Sequence, residues 1–315
     1  MRPSLVLVAV LLAMPLAVCA ETPVAAPAVE APAIYRVGTA RVVALVDGRG
    51  PFPVNLFQGI AAADVSRLLA AGNEATTNAD GSPAWAASVY AFVVDIGGKR
   101  VLVDTGAGGA LPGTGRLAAG LAAAGIPPAS IDVVVISHMH GDHIGGLLDA
   151  TGRPAFAKAT LQLSAAEAGY WGDPAKAAAA SAGERGSFDA ARRIFAAYGP
   201  ALKPFDGRAT IVPGLTAEPL YGHTPGHAVY RLRSGGREMV FIGDMIHSLA
   251  IQMPRPTVTL GFDSDQDAAR AARLGFLRAN AGKGVLFAGP HFRTGVVTIE
   301  PDGAAFRATP VTPGR

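Results

Sequence analysis

Hydrophobic residues along this chain gather in short, uninterrupted runs separated by glycine-rich turns, with helical spacing in several of the intervals between them. Arg41 to Val46 predicts a strand, and Val65 to Ala71 has the spacing of a helix that Gly72-Asn73 stops. Val89 to Ile96 and Arg100 to Val103 are apolar runs joined across Gly97-Gly98, which predicts a tight hairpin. Leu117 to Ala124 reads as a helix ended by Gly125, and Asp132 to Ile136 as a fully buried strand. Ala175 to Tyr198 is largely helical, with an expected break near Gly183 to Ser187. Strands follow around Ala217–Tyr221, Ala228–Leu232 and Met239–Ile242, then a helix over Asp265–Ala281. Val285–Phe287 is a further strand, and Val296–Ile299 is expected as a last edge strand. Strands and helices interleave throughout, so the class is α/β with sheet cores covered by helices. No repeat of fixed period is visible, although strand clusters in both halves leave room for a twofold arrangement.

The first residues follow another pattern. Arg2 precedes an apolar run from Leu5 to Val18, and Ala20 ends it before Glu21. That run is short for a membrane span and suits the core of a secretory signal, so residues 1–20 are expected to be removed after Ala20. A signal-anchor is the alternative. Leu16-Ala17-Val18-Cys19 also resembles a lipoprotein box, which leaves a lipid anchor at Cys19 open. Residues 21–34, rich in Pro and Ala, read as a flexible lead-in to one domain spanning 35–315. The expected location is the periplasm or the exterior, with no membrane contact after cleavage unless Cys19 is lipidated.

Composition narrows the classes. Charged residues are 16% and hydrophobic ones 50%, which excludes a disordered or coiled-coil protein. The net charge is only +3 and no Lys/Arg stripe forms, so no nucleic-acid partner is expected. Cys19 is the sole cysteine. A chain cut after Ala20 therefore has neither disulfides nor thiolate ligands.

Candidate chemistry lies in the histidines. Ser137-His138-Met139-His140-Gly141-Asp142-His143 follows the Asp132–Ile136 strand directly. Residues two apart on an extended chain face the same way, so His138 and His140 can converge. Asp142 and His143 then fall on a turn that Gly141, Gly145 and Gly146 permit. Imidazole and carboxylate together suit zinc and similar divalent ions.

With those residues in view, the chain resembles the metallo-β-lactamase superfamily, whose first motif is HxHxDH. Gly222-His223-Thr224-Pro225-Gly226-His227 is similar to the family's second histidine motif, in which the first His is the ligand. Phe241-Ile242-Gly243-Asp244 is similar to its strand-end Asp, and Gly289-Pro290-His291 to its last ligand. The resemblance implies an αββα sandwich, two mixed β-sheets flanked by helices. It implies one metal on His138, His140 and His223 and a second on Asp142, His143 and His291, bridged by Asp244 and a hydroxide. Two such ions, zinc by family habit with manganese, cobalt or iron open, would activate that hydroxide to attack a lactone, ester or phosphotriester. Asp104, in Val103-Asp104-Thr105-Gly106, matches a family motif near the site and is expected either to orient a ligand histidine or to cap a glycine turn. His227 is expected either behind the ligands or as a turn residue.

Exclusions point to a branch. The resemblance to class B1 β-lactamases fails because they place a Cys where this chain has Asp244. Only about two dozen residues follow His291, too few for the helical region of glyoxalase II. Neither nuclease insertions nor a flavodoxin domain is visible. The chain is most similar to the methyl parathion hydrolase and N-acyl homoserine lactone lactonase group, through Gly113 to Leu117, the His223 motif and Leu260 to Asp265. That resemblance implies a small-molecule substrate, with Trp171 and Phe188 on the pocket wall, although Trp171 is equally readable as core. His247 stands where those lactonases carry a Tyr that assists the carbonyl oxygen, and the parathion hydrolase an apolar residue. It is expected either to stabilise the developing oxyanion or to be a satisfied core histidine. Pocket loops are expected at Pro51–Ile60, Asn73–Ala87 and Met253–Phe262, and Pro51 to Phe57 is apolar enough to reach over a neighbour's pocket in a homodimer. The rival readings are a phosphodiesterase or nuclease of the same fold and a non-catalytic metal-binding protein.

Overall fold

A computed structural model describes residues 29–314. The expected signal at 1–20 and Cys19 lie outside the described residues. Two seven-stranded sheets dominate. The first runs in the order Ala33–Val37, Ala40–Pro53, Pro83–Ile96, Lys99–Val103, Val133–Val135, Thr160–Gln162, with Ala75–Thr77 paired to Pro83–Ile96. The second runs Ala305–Pro310, Val296–Asp302, Leu286–Ala288, Arg237–Phe241, Ala228–Ser234, Leu215–Pro219, Ala209–Val212. Both are mixed: Lys99–Val103, Val133–Val135 and Thr160–Gln162 are parallel neighbours, as are Arg237–Phe241 and Leu286–Ala288.

The layering follows from the twofold alternation of side chains along a strand. Val42 and Ala44 point into the cluster between the sheets, where they meet Phe92, Leu215, Tyr230 and Phe241. Val43 and Leu45 point the other way, into a cluster with Leu121, Trp171 and Ile194 of the covering helices. On the second sheet Val229 and Val240 likewise face Phe276 and Leu277 of helix Gln266–Asn280. A strand buried on both faces must be apolar without interruption, which is why these strands read as continuous runs. The architecture is helix, sheet, sheet, helix. The described residues contain no helix long and apolar enough to cross a membrane.

Several expected boundaries move. The hairpin at Gly97-Gly98 forms as expected, with φ of 56° and 73°, but its first strand starts at Pro83 and pairs along its length with Ala40–Pro53. Ala84, Ala86 and Ala87 have little β-propensity of their own; pairing such as Phe52↔Trp85 overrides it. Ala33 and Ile34, placed in the lead-in, belong to the first strand. The helical break falls at Ala180-Ser181, between Pro174–Ala179 and Ala182–Tyr198. Asp173 caps the shorter helix and Pro174 opens it, while Ala180 turns extended with ψ 143°. Nothing in the alanine run marks that change. Val296–Asp302 is not an edge, because Ala305–Pro310 folds back onto it.

The segments expected as pocket loops are also more ordered. Phe57–Gln58 pairs with Thr259–Leu260, and Phe57, Trp85 and Leu260 join Val65, Leu69 and Ile251 in one small apolar cluster.

Candidate metal centre

All seven candidate ligands arrive together where strands end. Val133–Val135 delivers His138 and His140, and His140 precedes a single helical turn, Gly141–Ile144, that carries Asp142 and His143. His223 stands in the turn after Leu215–Pro219, Asp244 in a 3-10 turn after Arg237–Phe241, and His291 just past Leu286–Ala288. Both sheets thus contribute to one rim.

The donor atoms form three overlapping groups that could each hold a metal ion: His138, His140, His223 with Asp244; Asp142, His143 with His291; and Asp244, His247 with His291, of which the first two carry the expected ligands. In the first, His223 Nε2 lies 3.2 Å from His138 Nε2 and 3.1 Å from His140 Nδ1. Asp244 Oδ2 stands 3.3 Å from His223 Nε2. In the second, His291 Nε2 is 3.5 Å from Asp142 Oδ2, and His143 Nε2 and His291 Nε2 each lie 3.1 Å from Asp244 Oδ1. Asp244 Oδ1 therefore faces the second group, and Oδ2 faces the first while also lying 3.3 Å from His291 Nε2. Among the described residues, His143 Nε2 and Asp244 Oδ1 are buried without a hydrogen-bond partner. Such orphaned atoms are costly unless something positive sits between them. Three ring nitrogens converging at 3.1–3.2 Å pose the same demand, since one N–H cannot serve two acceptors. The donor set fits divalent cations.

The opposite ring nitrogens are occupied. His143 Nδ1 lies 2.9 Å from Asp104 Oδ2, His223 Nδ1 2.7 Å from Asp263 Oδ1, and His291 Nδ1 2.9 Å from the Ser88 carbonyl oxygen. Each contact keeps the proton on Nδ1 and turns the Nε2 lone pair inward. Asp104 also accepts from Ser137 N at 2.7 Å and Ser137 Oγ at 2.8 Å, so it holds the start of the first motif as well as one of its ligands. His227 is not among the donor groups. Its Nδ1 donates to the Leu220 carbonyl and its Nε2 accepts the Asp244 N–H at 3.0 Å, fixing the main chain beneath the shared carboxylate.

Protein charges alone divide the histidines. Burial holds His140 and His227 down to about 3. For His143 burial acts in the same direction, but Asp244, Asp142 and Asp104 outweigh it and hold the ring well above its usual value. Burial is overridden at His223 too, which Asp244 and Asp263 lift to about 9. Burial opposes ionisation of Asp244, yet the surrounding imidazoles pull its carboxyl well below the usual range.

His247 is buried at the edge of this cluster. Its Nε2 is 3.0 Å from Asp244 Oδ2, both ring nitrogens lack a well-aligned partner, and the ring stacks on His291 at 5.3 Å between centroids. Trp171 and Phe188, expected on the pocket wall, lie within the helical layer. Trp171 is 6.0 Å from His140 between ring centroids, and Phe188 stands behind it at 4.7 Å. Both line a cavity of about 330 Å³ whose lining includes none of the ligands. Other rings near the ligands are Phe262, exposed and 6.5 Å from His140, and Phe52 and Trp85, 6.5 and 6.1 Å from His291.

Sequence reasoning passed over four polar or aromatic groups: Asp263, Glu167, Trp85 and Glu74. Buried Glu167 accepts from Met139 N, Trp171 Nε1, Thr224 Oγ1 and Gly226 N at 2.7–2.8 Å, tying the first histidine motif to the second. No spacing rule marks it.

A buried cluster of histidine and aspartate donors at the rim of an αββα sandwich is the arrangement of a known class of metal-dependent hydrolases. The sequence profile of the metallo-beta-lactamase superfamily matches residues 84–295, and the chain belongs to that superfamily. Two solved structures are similar over nearly their whole length. One, "hydrolase AbOPH in beta lactamase superfamily", is 28% identical with a TM-score of 0.81, covering 90% of this chain and 98% of its own. The other, AidC, a dizinc quorum-quenching lactonase in complex with a product N-hexanoyl-L-homoserine, is 26% identical with a TM-score of 0.79 and the same coverage of 90% and 98%. A probable metal-dependent hydrolase from Staphylococcus aureus, 19% identical with a TM-score of 0.70 over 88% of this chain and 99% of that one, shares the fold. No curated protein matches the sequence.

Proposed function

We propose that this protein is a binuclear hydrolase of lactones and related esters, with N-acyl homoserine lactones as the first substrate to test and aryl esters and phosphotriesters as the others. The observation that carries the reading is Asp244, whose two carboxylate oxygens face two separate histidine groups. AidC, similar to this chain, is a dizinc lactonase, which supports both the metal count and zinc as the first choice. When bound, two divalent ions lower the pKa of a shared water towards neutrality and polarise the oxygen under attack.

The chain's own residues supply the rest. In lactone hydrolysis a water oxygen bonds to the carbonyl carbon, the ring C–O bond breaks, and the departing oxygen takes a proton to give a hydroxy acid. His247 presents an unpartnered buried ring beside Asp244 and donates a hydrogen bond to the oxygen on which negative charge develops. Phe52 and Phe262 flank opposite ends of the ligand cluster and exclude water from an apolar acyl group. Trp171, buried beside His140 with Phe188 behind it, backs the ligand loop from the helical layer. Export through a cleaved signal at 1–20 would place this activity in the periplasm or outside the cell. The partner is a small molecule.

The test is the purified protein, with its metal content measured, assayed on N-hexanoyl and N-decanoyl homoserine lactone, an aryl acetate and paraoxon. Turnover of a lactone that stops on chelation and returns with zinc is expected. Inactivity on all four compounds with two metals bound removes the proposal.

A further inference from the structure

One buried carboxylate takes no part in the donor set yet stands close behind it. Glu74, just past helix Ala62–Ala71, is 5% exposed. Its Oε2 accepts from Ser248 Oγ at 2.6 Å and Trp85 Nε1 at 3.1 Å, and its Oε1 accepts from Ala250 N at 3.2 Å. A carboxylate withdrawn from water is costly unless donors replace the lost hydration, so three converging donors form a built arrangement.

What those donors share is proximity to His247. Ser248 follows it in sequence and caps the short helix Leu249–Gln252 through Ile251 N. Trp85 lays its indole 6.4 Å from the His247 ring and 6.1 Å from that of His291. From the other side Gln252 Oε1 accepts from His247 N at 2.7 Å and Ser248 N at 3.3 Å. The His247 ring itself is held by no well-aligned hydrogen bond. Its direction is therefore set by the main chain on either side and by the rings packed against it. Glu74 grips both.

We infer that Glu74 is a positioning residue, fixing the His247 ring over Asp244 through Ser248 and Trp85, and so setting how well His247 can meet the reacting oxygen. The inference rests on the proposed role of His247. A ring displaced by an ångström loses much of its hydrogen bond to a developing charge, whereas the metal ligands keep their own supports at Asp104, Asp263 and Ser88.

Two variants test it. Glu74→Gln turns an N–H against groups that are themselves donors, and Ser248→Ala cuts one link while leaving the carboxylate. Each is measured alone and combined with His247→Ala, on the best-turned-over substrate of the four above, together with metal content and Tm. Expected is a kcat about tenfold lower in each single variant, KM within about twofold, and unchanged metal content. In the His247→Ala background neither variant should lower kcat further, the signature of two residues acting as one. Equal losses in both backgrounds make Glu74 a general structural residue and overturn the inference, while the role of His247 survives. A His247→Ala variant with unchanged kcat overturns both. Should Glu74→Gln fail to fold, Ser248→Ala decides by the same comparison.

Discussion

Asp104 separates the two donor groups experimentally. It is 3% exposed, sits at φ 56°, and accepts three hydrogen bonds, from His143 Nδ1, Ser137 Oγ and Ser137 N. Asn tolerates that backbone conformation, so Asp104→Asn perturbs the chemistry with little strain. Its remaining carbonyl oxygen can serve one side only. If it keeps the Ser137 N–H, its NH₂ faces His143 Nδ1, which must then give up its proton to accept. The proton moves to Nε2, the atom that faces Asp244, and that nitrogen can no longer ligate. Loss of such an orienting carboxylate weakens metal binding by about 10- to 100-fold, or about 1.4–2.7 kcal/mol. The group of His138, His140 and His223 keeps Asp263 behind His223 and is touched only through Ser137 behind His138, so it should lose less affinity. Titration of the metal-free variant with zinc against a competing chelator should thus show one strongly weakened step and one weakened less. Asp104→Ala adds about 1–2 kcal/mol of positive-φ strain and leaves the Ser137 donors unsatisfied, so its metal-free form should also melt lower. Two equally weakened steps, or none, would refute the view that Asp104 acts chiefly through His143.

Metal affinity should fall with pH in a stated window. His223 is lifted to about 9 from 6.5 by Asp244 and Asp263 against the effect of burial, so it carries a proton throughout neutral pH that a metal must displace. Apparent affinity then drops as pH falls below about 9, and calorimetry in buffers of different ionisation enthalpy should detect proton release at pH 7.5; no release would contradict a protonated His223. Glu167→Ala leaves four donors, on Met139, Trp171, Thr224 and Gly226, without their acceptor. It should cost about 3–5 kcal/mol and lower Tm by about 6–10 °C, and a loss under about 1 kcal/mol would mean that water replaces the carboxylate. Gly243 holds φ 49°, and a methyl there would run into His227 Nε2 and Ser137 Cβ. Gly243→Ala should release the Asp244 main chain from His227 and lower metal occupancy more than fold content, as read by elemental analysis beside circular dichroism.

The ligands were legible because few other reasons place three histidines and an aspartate directly after an apolar strand. Their partners were not. Asp263, Glu167 and Glu74 are single carboxylates in polar surroundings, indistinguishable in a sequence from solvated ones, and they meet their partners across 40, 59 and 174 positions of chain. The α/β class could be read from interleaved runs and the αββα order from the family resemblance, yet Pro83 to Ser88 could not be read as strand, since its alanines acquire that conformation from Phe52 and its neighbours. The same holds for the segments around Phe57, Trp85 and Leu260, which look like three loops and close into one apolar cluster. That cluster matters because Trp85 belongs both to it and to the surroundings of His247 and His291. Metal ligation restricts residue type and so leaves a mark in sequence. Orientation of the ligands restricts only place, and common residues acquire that meaning when folding takes them out of water.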